Sequence, residues 1–314
     1  MSIKPYIKIC RFDHWVKNIF LIPGILFGFY FKLHFTDNYS LSLRNTIDIA
    51  LIFLATGFAA SANYTINEFL DKEFDKNHPI KKYRMGAMGR LNFKVVFIQY
   101  LSLILLASFI AYQVNTLCLY SIIFLMVMGV IYNVNPIRSK DIPYIDVISE
   151  SINNPIRFVI GWSVFYSLEL PPVSILICYW MGGAYLMALK RFAELRMIDS
   201  QEGAELYRKS FRYYSEINLL ESSIFYAVFS VFFLAIFLIK YRIEYIFTFP
   251  FLALLYAYYF RISFQKDSSA AAPEKLHKEK KLIAIVLLLC SAFFITSVIN
   301  VPSLKILLIP VNFS

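Results

Sequence analysis

Nine apolar stretches divide the chain, at residues 15–31, 46–64, 93–113, 115–133, 145–165, 170–189, 218–239, 243–262 and 281–300. A membrane crossing needs roughly 20 mostly apolar residues. None of the nine alternates apolar and polar residues at a period of two, and backbone amides in hydrocarbon must be satisfied within their own segment or in a closed barrel. The pattern therefore predicts helices. The fifth stretch stands apart because it carries Asp146, Glu150 and Arg157. The expected architecture is all-α: an integral membrane bundle of about nine transmembrane helices, forming one polytopic domain over residues 1–314. No internal repeat, low-complexity tract or separate soluble domain interrupts it. The first stretch follows Lys4, Lys8 and Arg11 and ends in no small-residue cleavage site, so it reads as a retained first helix.

Composition supports this picture. The chain has 314 residues, 59% hydrophobic and 18% aromatic, and a mean hydropathy of +0.59. Those values exclude the two soluble domains that length alone would suggest. The net charge of +10 is distributed unevenly: of 31 Lys and Arg residues, 25 fall in the N-terminal segment and the loops after spans two, four, six and eight, counted with the adjoining span ends. Five (Lys32, Arg44, Lys240, Arg242 and Lys305) fall on the opposite side, and Arg157 lies within a span. The positive-inside rule then places the N-terminus and the charged loops in the cytoplasm and the C-terminus outside. Basic loops are ordinary in membrane proteins, so the charge argues for no nucleic-acid partner. Cys10, Cys118, Cys178 and Cys290 are scattered without metal or disulfide spacing and read as packed thiols.

The loop after the second span changes the picture more. It reads NEFLDKEFDKNHPIKKYR from Asn67 to Arg84. Asn67, Asp71 and Asp75 recur every four residues, which on a helix stacks an amide and two carboxylates on one face. Hard oxygen donors of this kind suit Mg²⁺, which keeps waters and completes its shell with substrate phosphates. Glu68 flanks the stack. His78, Lys81, Lys82 and Arg84 follow as cations for a phosphate group, and Pro79 helps to end the helix. A solvated loop of balanced charges would also explain the composition. The strict register and the emergence from a membrane span favour a site, because acids at membrane depth are costly.

The fifth stretch repeats the theme. Asp146 and Glu150 form a second pair four residues apart, with Asn153, Asn154 and the kinking Pro155 before Arg157. The polar segment from Tyr132 to Lys140 precedes it and supplies Arg138 and Lys140. Two acid pairs on two cytoplasmic helix ends, each escorted by cations, are the arrangement expected of a metal-diphosphate site.

These residues resemble the UbiA superfamily of membrane-embedded prenyltransferases. The pattern Asn67-Glu68-x-x-Asp71-x-x-x-Asp75 is similar to the family's first motif, with Glu68 where Asp is usual, and Asp146-x-x-x-Glu150 is similar to its second. The resemblance implies a nine-helix bundle in which both motifs hold Mg²⁺ on a substrate diphosphate, giving Asn67, Glu68, Asp71, Asp75, Asp146 and Glu150 as metal ligands. It narrows toward the branch that includes decaprenyl-phosphate phosphoribosyltransferases. The residues that carry this are Arg11-x-x-x-Trp15-Val16-Lys17-Asn18, His78-Pro79-x-Lys81-x-x-Arg84, Arg157, Lys190-Arg191-Phe192-Ala193-Glu194 and Arg208-Lys209-Ser210-Phe211. Met85-Gly86 departs from that branch, which usually has Pro after the Arg, and Glu150 stands where the branch is often apolar.

Two enzymes share the implied chemistry. A prenyltransferase ionises a prenyl diphosphate for attack by an aromatic acceptor. A phosphoribosyltransferase ionises phosphoribosyl pyrophosphate for attack by a polyprenyl phosphate oxygen. The second needs more cations and no strong general base, and none stands in a span. Lys17, Asn18, Lys81, Arg84, Tyr132, Arg138, Arg157, Lys190, Arg191 and Glu194 are the expected substrate contacts, with Asp71, Asp75 and Asp146 as catalytic acids. The partners implied are a polyprenyl lipid, a diphosphate-bearing donor and membrane lipids, in a bacterial plasma membrane with the site facing the cytoplasm. A transporter would spread charge to the far face, whereas here it stays near one. His14 and Trp15 also read as interfacial anchors, and residues 190–212 read as an amphipathic lid or a long loop.

Overall fold

Helices account for all the regular structure of the described residues. The computed structural model describes residues 3–36, 39–76, 81–198, 201–265, 268–271 and 273–309. In chain order the α-helices are α1 (Lys4–Ile9), α2 (Ile22–Phe35), α3 (Leu43–Leu70), α4 (Lys72–Asp75), α5 (Phe93–Val114), α6 (Thr116–Asn133), α7 (Ile145–Ser151), α8 (Asn153–Trp162), α9 (Val173–Arg196), α10 (Gln201–Tyr207), α11 (Glu216–Tyr241), α12 (Phe249–Ser263) and α13 (Lys280–Val298). A 3₁₀ segment, Phe12–Leu21, links α1 to α2. Eight stretches among the described residues are long and apolar enough to cross a membrane: Lys4–Phe35, α3, α5, α6, α9, α11, Ile243–Ser263 and α13.

The fifth expected span is helical but broken. It forms α7 and α8 with a joint at Ile152, and Pro155 lies three residues beyond. Proline has no N–H to return to the preceding turn, so the ladder cannot run unbroken there. Every residue of α8 from Pro155 to Trp162 is buried, which lets this stretch carry Arg157 away from lipid.

The chain groups into two compact units. One comprises Met1–Pro171 and Leu195–Asn218, the other Pro172–Glu194 and Leu219–Ser314. In the first, α3 is the central element. Its buried Ala55, Ala59 and Ala62 present no bulk, the usual way for membrane helices to approach closely. Glycine does the same where α2 crosses α8: a Cβ on Gly24 would strike the Phe158 carbonyl, and one on Gly161 the Leu21 carbonyl. Ser42 and Asn45 cap the start of α3, and Asn92 and Asn115 cap α5 and α6. The outer faces stay apolar, with Leu105 69% and Phe109 61% exposed on α5, as a lipid-facing surface requires. In the second unit Tyr185 stacks on Tyr256, whose hydroxyl meets Ser230 at 2.8 Å.

Candidate active site

The last turns of α3 carry the first acid motif. Backbone bonds from Asp71 N–H to Asn67 O (2.9 Å) and from Asp75 N–H to Asp71 O (2.8 Å) carry the helical register through the junction with α4. Asn67, Asp71 and Asp75 therefore lie one above the other, as their spacing predicts. Asn67 donates through Nδ2 to Asp71 Oδ2 at 2.9 Å and to Asn133 Oδ1 at 2.5 Å, the latter at the end of α6. Asp75 is buried and accepts from Arg84 Nη1 at 2.8 Å.

The segment after α6 turns back toward this stack. Arg138 and Tyr144 both adopt left-handed backbone, with φ of 30° and 63°, and the bends bracket a short 3₁₀ turn, Ser139–Asp141. From it Lys140 Nζ donates to Asp71 Oδ1 at 2.5 Å and to Asn133 Oδ1 at 2.8 Å. Arg138 donates to Asp71 Oδ1 at 2.8 Å and to Asp141 Oδ2 at 3.0 Å. Its guanidinium lies 4.8 Å from the centre of the Phe74 ring.

Asp146, at the start of α7, is fully buried. Arg208 Nη1 donates to its Oδ2 at 3.2 Å, and Ser210 Oγ lies 3.4 Å from the same oxygen. Tyr214 holds Oδ1 through its hydroxyl, which itself accepts from Tyr144 N–H at 2.6 Å. Arg208 also reaches Tyr132 OH at 3.3 Å and the Lys140 carbonyl at 3.4 Å, so it ties the second acid motif to the segment that holds the first. Tyr132 donates onward to Glu150 Oε2 at 2.7 Å. Lys81 bonds the Tyr207 hydroxyl and lies 4.5 Å from the centre of its ring.

Burial and charge compete at each acid. Burial pushes Asp71 up, but Lys140, Arg138 and Arg208 outweigh it and hold the carboxyl below its usual range. At Asp75 burial prevails over Arg84 and Lys81 and raises the carboxyl. Burial also lowers Lys140 to about 8, although Asp71 opposes it, and Arg138 and Arg208 add repulsion. Asp71 thus shifts down because more than one cation shares the one carboxylate, whereas Lys140 shifts down chiefly because it is buried. Burial works against the charge of Arg84, yet Asp75, Tyr207 and Glu68 outweigh it and keep the guanidinium above its ordinary value.

The remaining expected residues are distributed as follows. Glu68 faces the backbone N–H groups of Met85 and Gly86, at 3.0 and 3.4 Å. Arg157 is buried in α8 and donates to Asn153 O at 3.2 Å. Lys17 lies 5.9 Å from the centre of the Tyr64 ring, and the buried Asn18 reaches Phe53 O at 3.5 Å. The half-buried Trp15 donates to Ser61 Oγ at 2.9 Å. Lys190, Arg191 and Glu194 lie at the end of α9, in the second unit, where the fully buried Arg191 donates to Glu194 at 2.9 Å. His78 and Pro79 lie outside the described residues. The structure adds Asn133, Lys140, Arg208 and Tyr214 to the site. Asn133, Lys140 and Arg208 stood in stretches already noted, whereas nothing in the sequence marked Tyr214.

Among the described residues no three carboxylate, histidine or cysteine side chains converge in a ready metal cage. Asp71, Asp75 and Asp146 each sit against a basic residue. Hard oxygens are thus interleaved with guanidinium and ammonium groups. That donor set has the chemistry to take a divalent ion delivered with a diphosphate.

The sequence matches the UbiA prenyltransferase family over residues 38–283, and the chain belongs to that family of membrane transferases. It is 28% identical over 217 residues to a decaprenyl-phosphate phosphoribosyltransferase of Corynebacterium glutamicum, a match covering 68% of this chain and 60% of that relative. The match thus spans about three fifths of the relative's length. A UbiA homolog from Archaeoglobus fulgidus bound to GPP and Mg²⁺ superimposes with a TM-score of 0.68 at 20% identity, covering 94% of this chain and 100% of that one. The same homolog bound to DMAPP and Mg²⁺ gives 0.68 at 21% identity, with coverage of 94% and 99%. A structure described for digeranylgeranylglyceryl phosphate synthase gives 0.61 at 16% identity. At these identities the likeness establishes a shared all-helical, multi-pass membrane fold.

Proposed function

We propose that the protein is a Mg²⁺-dependent transferase that moves a phosphoribosyl group from phosphoribosyl pyrophosphate to a polyprenyl phosphate, releasing pyrophosphate. The observation that carries this reading is the set of four cations, Arg84, Arg138, Lys140 and Arg208, placed on Asp75, Asp71 and Asp146. The likeness to a phosphoribosyltransferase over 217 residues supports the choice of donor, and the Mg²⁺-bound structures of the Archaeoglobus homolog support the choice of metal.

Asn67, Asp71, Asp75 and Asp146 would hold the ion, which supplies Lewis-acid stabilisation of the departing pyrophosphate. Arg84, Arg138, Lys140 and Arg208, held beside these acids, would supply charge-assisted bonds to phosphate oxygens. The bond from the anomeric carbon of ribose to the pyrophosphate oxygen breaks, and a bond to an oxygen of the polyprenyl phosphate forms. That oxygen is already anionic, so no side chain has to take a proton. Tyr132, bridging Glu150 and Arg208, orients the guanidinium rather than acting as a base. The uneven distribution of Lys and Arg supports a cytoplasmic placement of the site in a bacterial inner membrane.

The runner-up is prenyl transfer to an aromatic acceptor, favoured by the GPP and DMAPP complexes of the Archaeoglobus homolog. Purified protein offered each donor with its acceptor separates the two by which pair releases pyrophosphate.

A further inference from the structure

Glu68 is the acid of the first motif that bonds the backbone of the turn after Arg84. It is 4% exposed, and its Oε1 accepts from the N–H groups of Met85 (3.0 Å) and Gly86 (3.4 Å), the two residues that follow Arg84. The same turn presses against the Glu68 backbone, since a Cβ on Gly86 would strike the Glu68 carbonyl. Met85 is held from its other side by a buried cluster with Tyr6, Ile9 and Val96. Beyond it the chain closes on itself, with Met88 N–H bonded to Arg84 O at 3.0 Å and Arg90 N–H to Met85 O at 3.1 Å.

We propose that Glu68 is a positioning residue: it clamps the Met85–Gly86 turn so that Arg84 stays on Asp75 at the diphosphate end of the site. A carboxylate collecting two backbone amides makes charge-assisted bonds, stronger than neutral ones. A proline at position 85 would have no N–H to give, and an aspartate at position 68 would be one methylene shorter.

The kinetic part of the test rests on the proposed transferase reading; the labelling part does not. In a Cys-free background carrying Met88→Cys, thiol labelling in native membranes reports how firmly the turn is held. Glu68→Ala is expected to speed labelling about tenfold, the scale of losing one charge-assisted contact. Gly86→Ala, which leaves the carboxylate in place and crowds the turn, is expected to do the same. Glu68→Gln, which keeps an acceptor oxygen but loses the charge, is expected to label at a rate between those of the parent and Glu68→Ala. In turnover assays Glu68→Ala should raise donor KM as Arg84→Ala does, with the double variant no worse than Arg84→Ala alone. The Mg²⁺ concentration for half-maximal rate should not move. Labelling of Glu68→Ala as slow as the parent overturns the proposal, as does a tenfold rise in Mg²⁺ requirement in Glu68→Gln, the signature of a metal ligand. Absence of any turnover in the parent protein counts against the transferase reading and leaves the labelling result to decide the clamp.

Discussion

Lys140 Nζ lies 2.5 Å from Asp71 Oδ1 and 2.8 Å from Asn133 Oδ1, so one buried ammonium fastens the end of α3 to the end of α6. The Lys140 side chain is only 4% exposed, and burying an ion is repaid only when its partners are well placed. Truncating it strips a donor from the half-buried Asp71 and the buried Asn133 at once, with Arg138 left to neutralise part of the Asp71 charge. Lys140→Ala is expected to cost about 3 kcal/mol of stability, read as a clear drop in thermal unfolding temperature in detergent. The exposed Lys82→Ala serves as control, and equal behaviour of the two would contradict this role.

Asp71→Ala, Asp75→Ala and Asp146→Ala are each expected to abolish turnover while the protein still inserts and folds, because each removes an oxygen donor from a shared metal-diphosphate cluster. Chelation with EDTA should have the same effect on the parent, reversed by Mg²⁺. Full turnover in the chelated protein would rule out the metal assignment.

Arg208 spans Asp146, Tyr132 and the Lys140 carbonyl. Loss of a charge-assisted contact is worth roughly 1.5–3 kcal/mol, or about ten- to a hundredfold in binding. Arg208→Ala should raise donor KM by that factor. Arg208→Lys should recover little of it, because an ammonium cannot reproduce the planar fork of a guanidinium. A KM unchanged in Arg208→Ala would remove this residue from the donor site.

The membrane class, the helical architecture and the Asn67, Asp71, Asp75 register were legible in the chain because each rests on local periodicity. The break at Ile152 was half legible: Pro155 announces a kink, but the division into two short buried helices depends on α8 packing glycine against α2 at Gly161 and Gly24. The partners of the acids were not legible. Glu68 is one position from Asn67 in sequence, yet its carboxylate turns to the amides of Met85 and Gly86, a contact set by where the chain returns 17 residues later. Asn133 and Tyr214 become site residues only through tertiary contacts to Asn67, Lys140 and Asp146, and no spacing rule encodes those.

The broken pair α7–α8 also decides the topology. Eight apolar stretches alone would return the C-terminus to the side of the N-terminus, whereas a crossing by α7–α8 sends it to the other. The 25-to-5 distribution of Lys and Arg fits the crossing. Cysteines at positions 82 and 305, on a Cys-free background, should react from opposite sides of the membrane, the first from the cytoplasm. Reaction of both from one side would mean that α7–α8 does not cross.

The identity of the product tests the account most directly. Purified protein, Mg²⁺, phosphoribosyl pyrophosphate and a polyprenyl phosphate are incubated together and the lipid fraction is analysed by mass spectrometry, beside a reaction offering prenyl diphosphate and an aromatic acceptor. Phosphoribosyl transfer predicts a phosphoribosylated polyprenyl lipid in the first reaction, absent from Asp71→Ala. A prenylated aromatic in the second, with phosphoribosyl pyrophosphate unconsumed in the first, would contradict it.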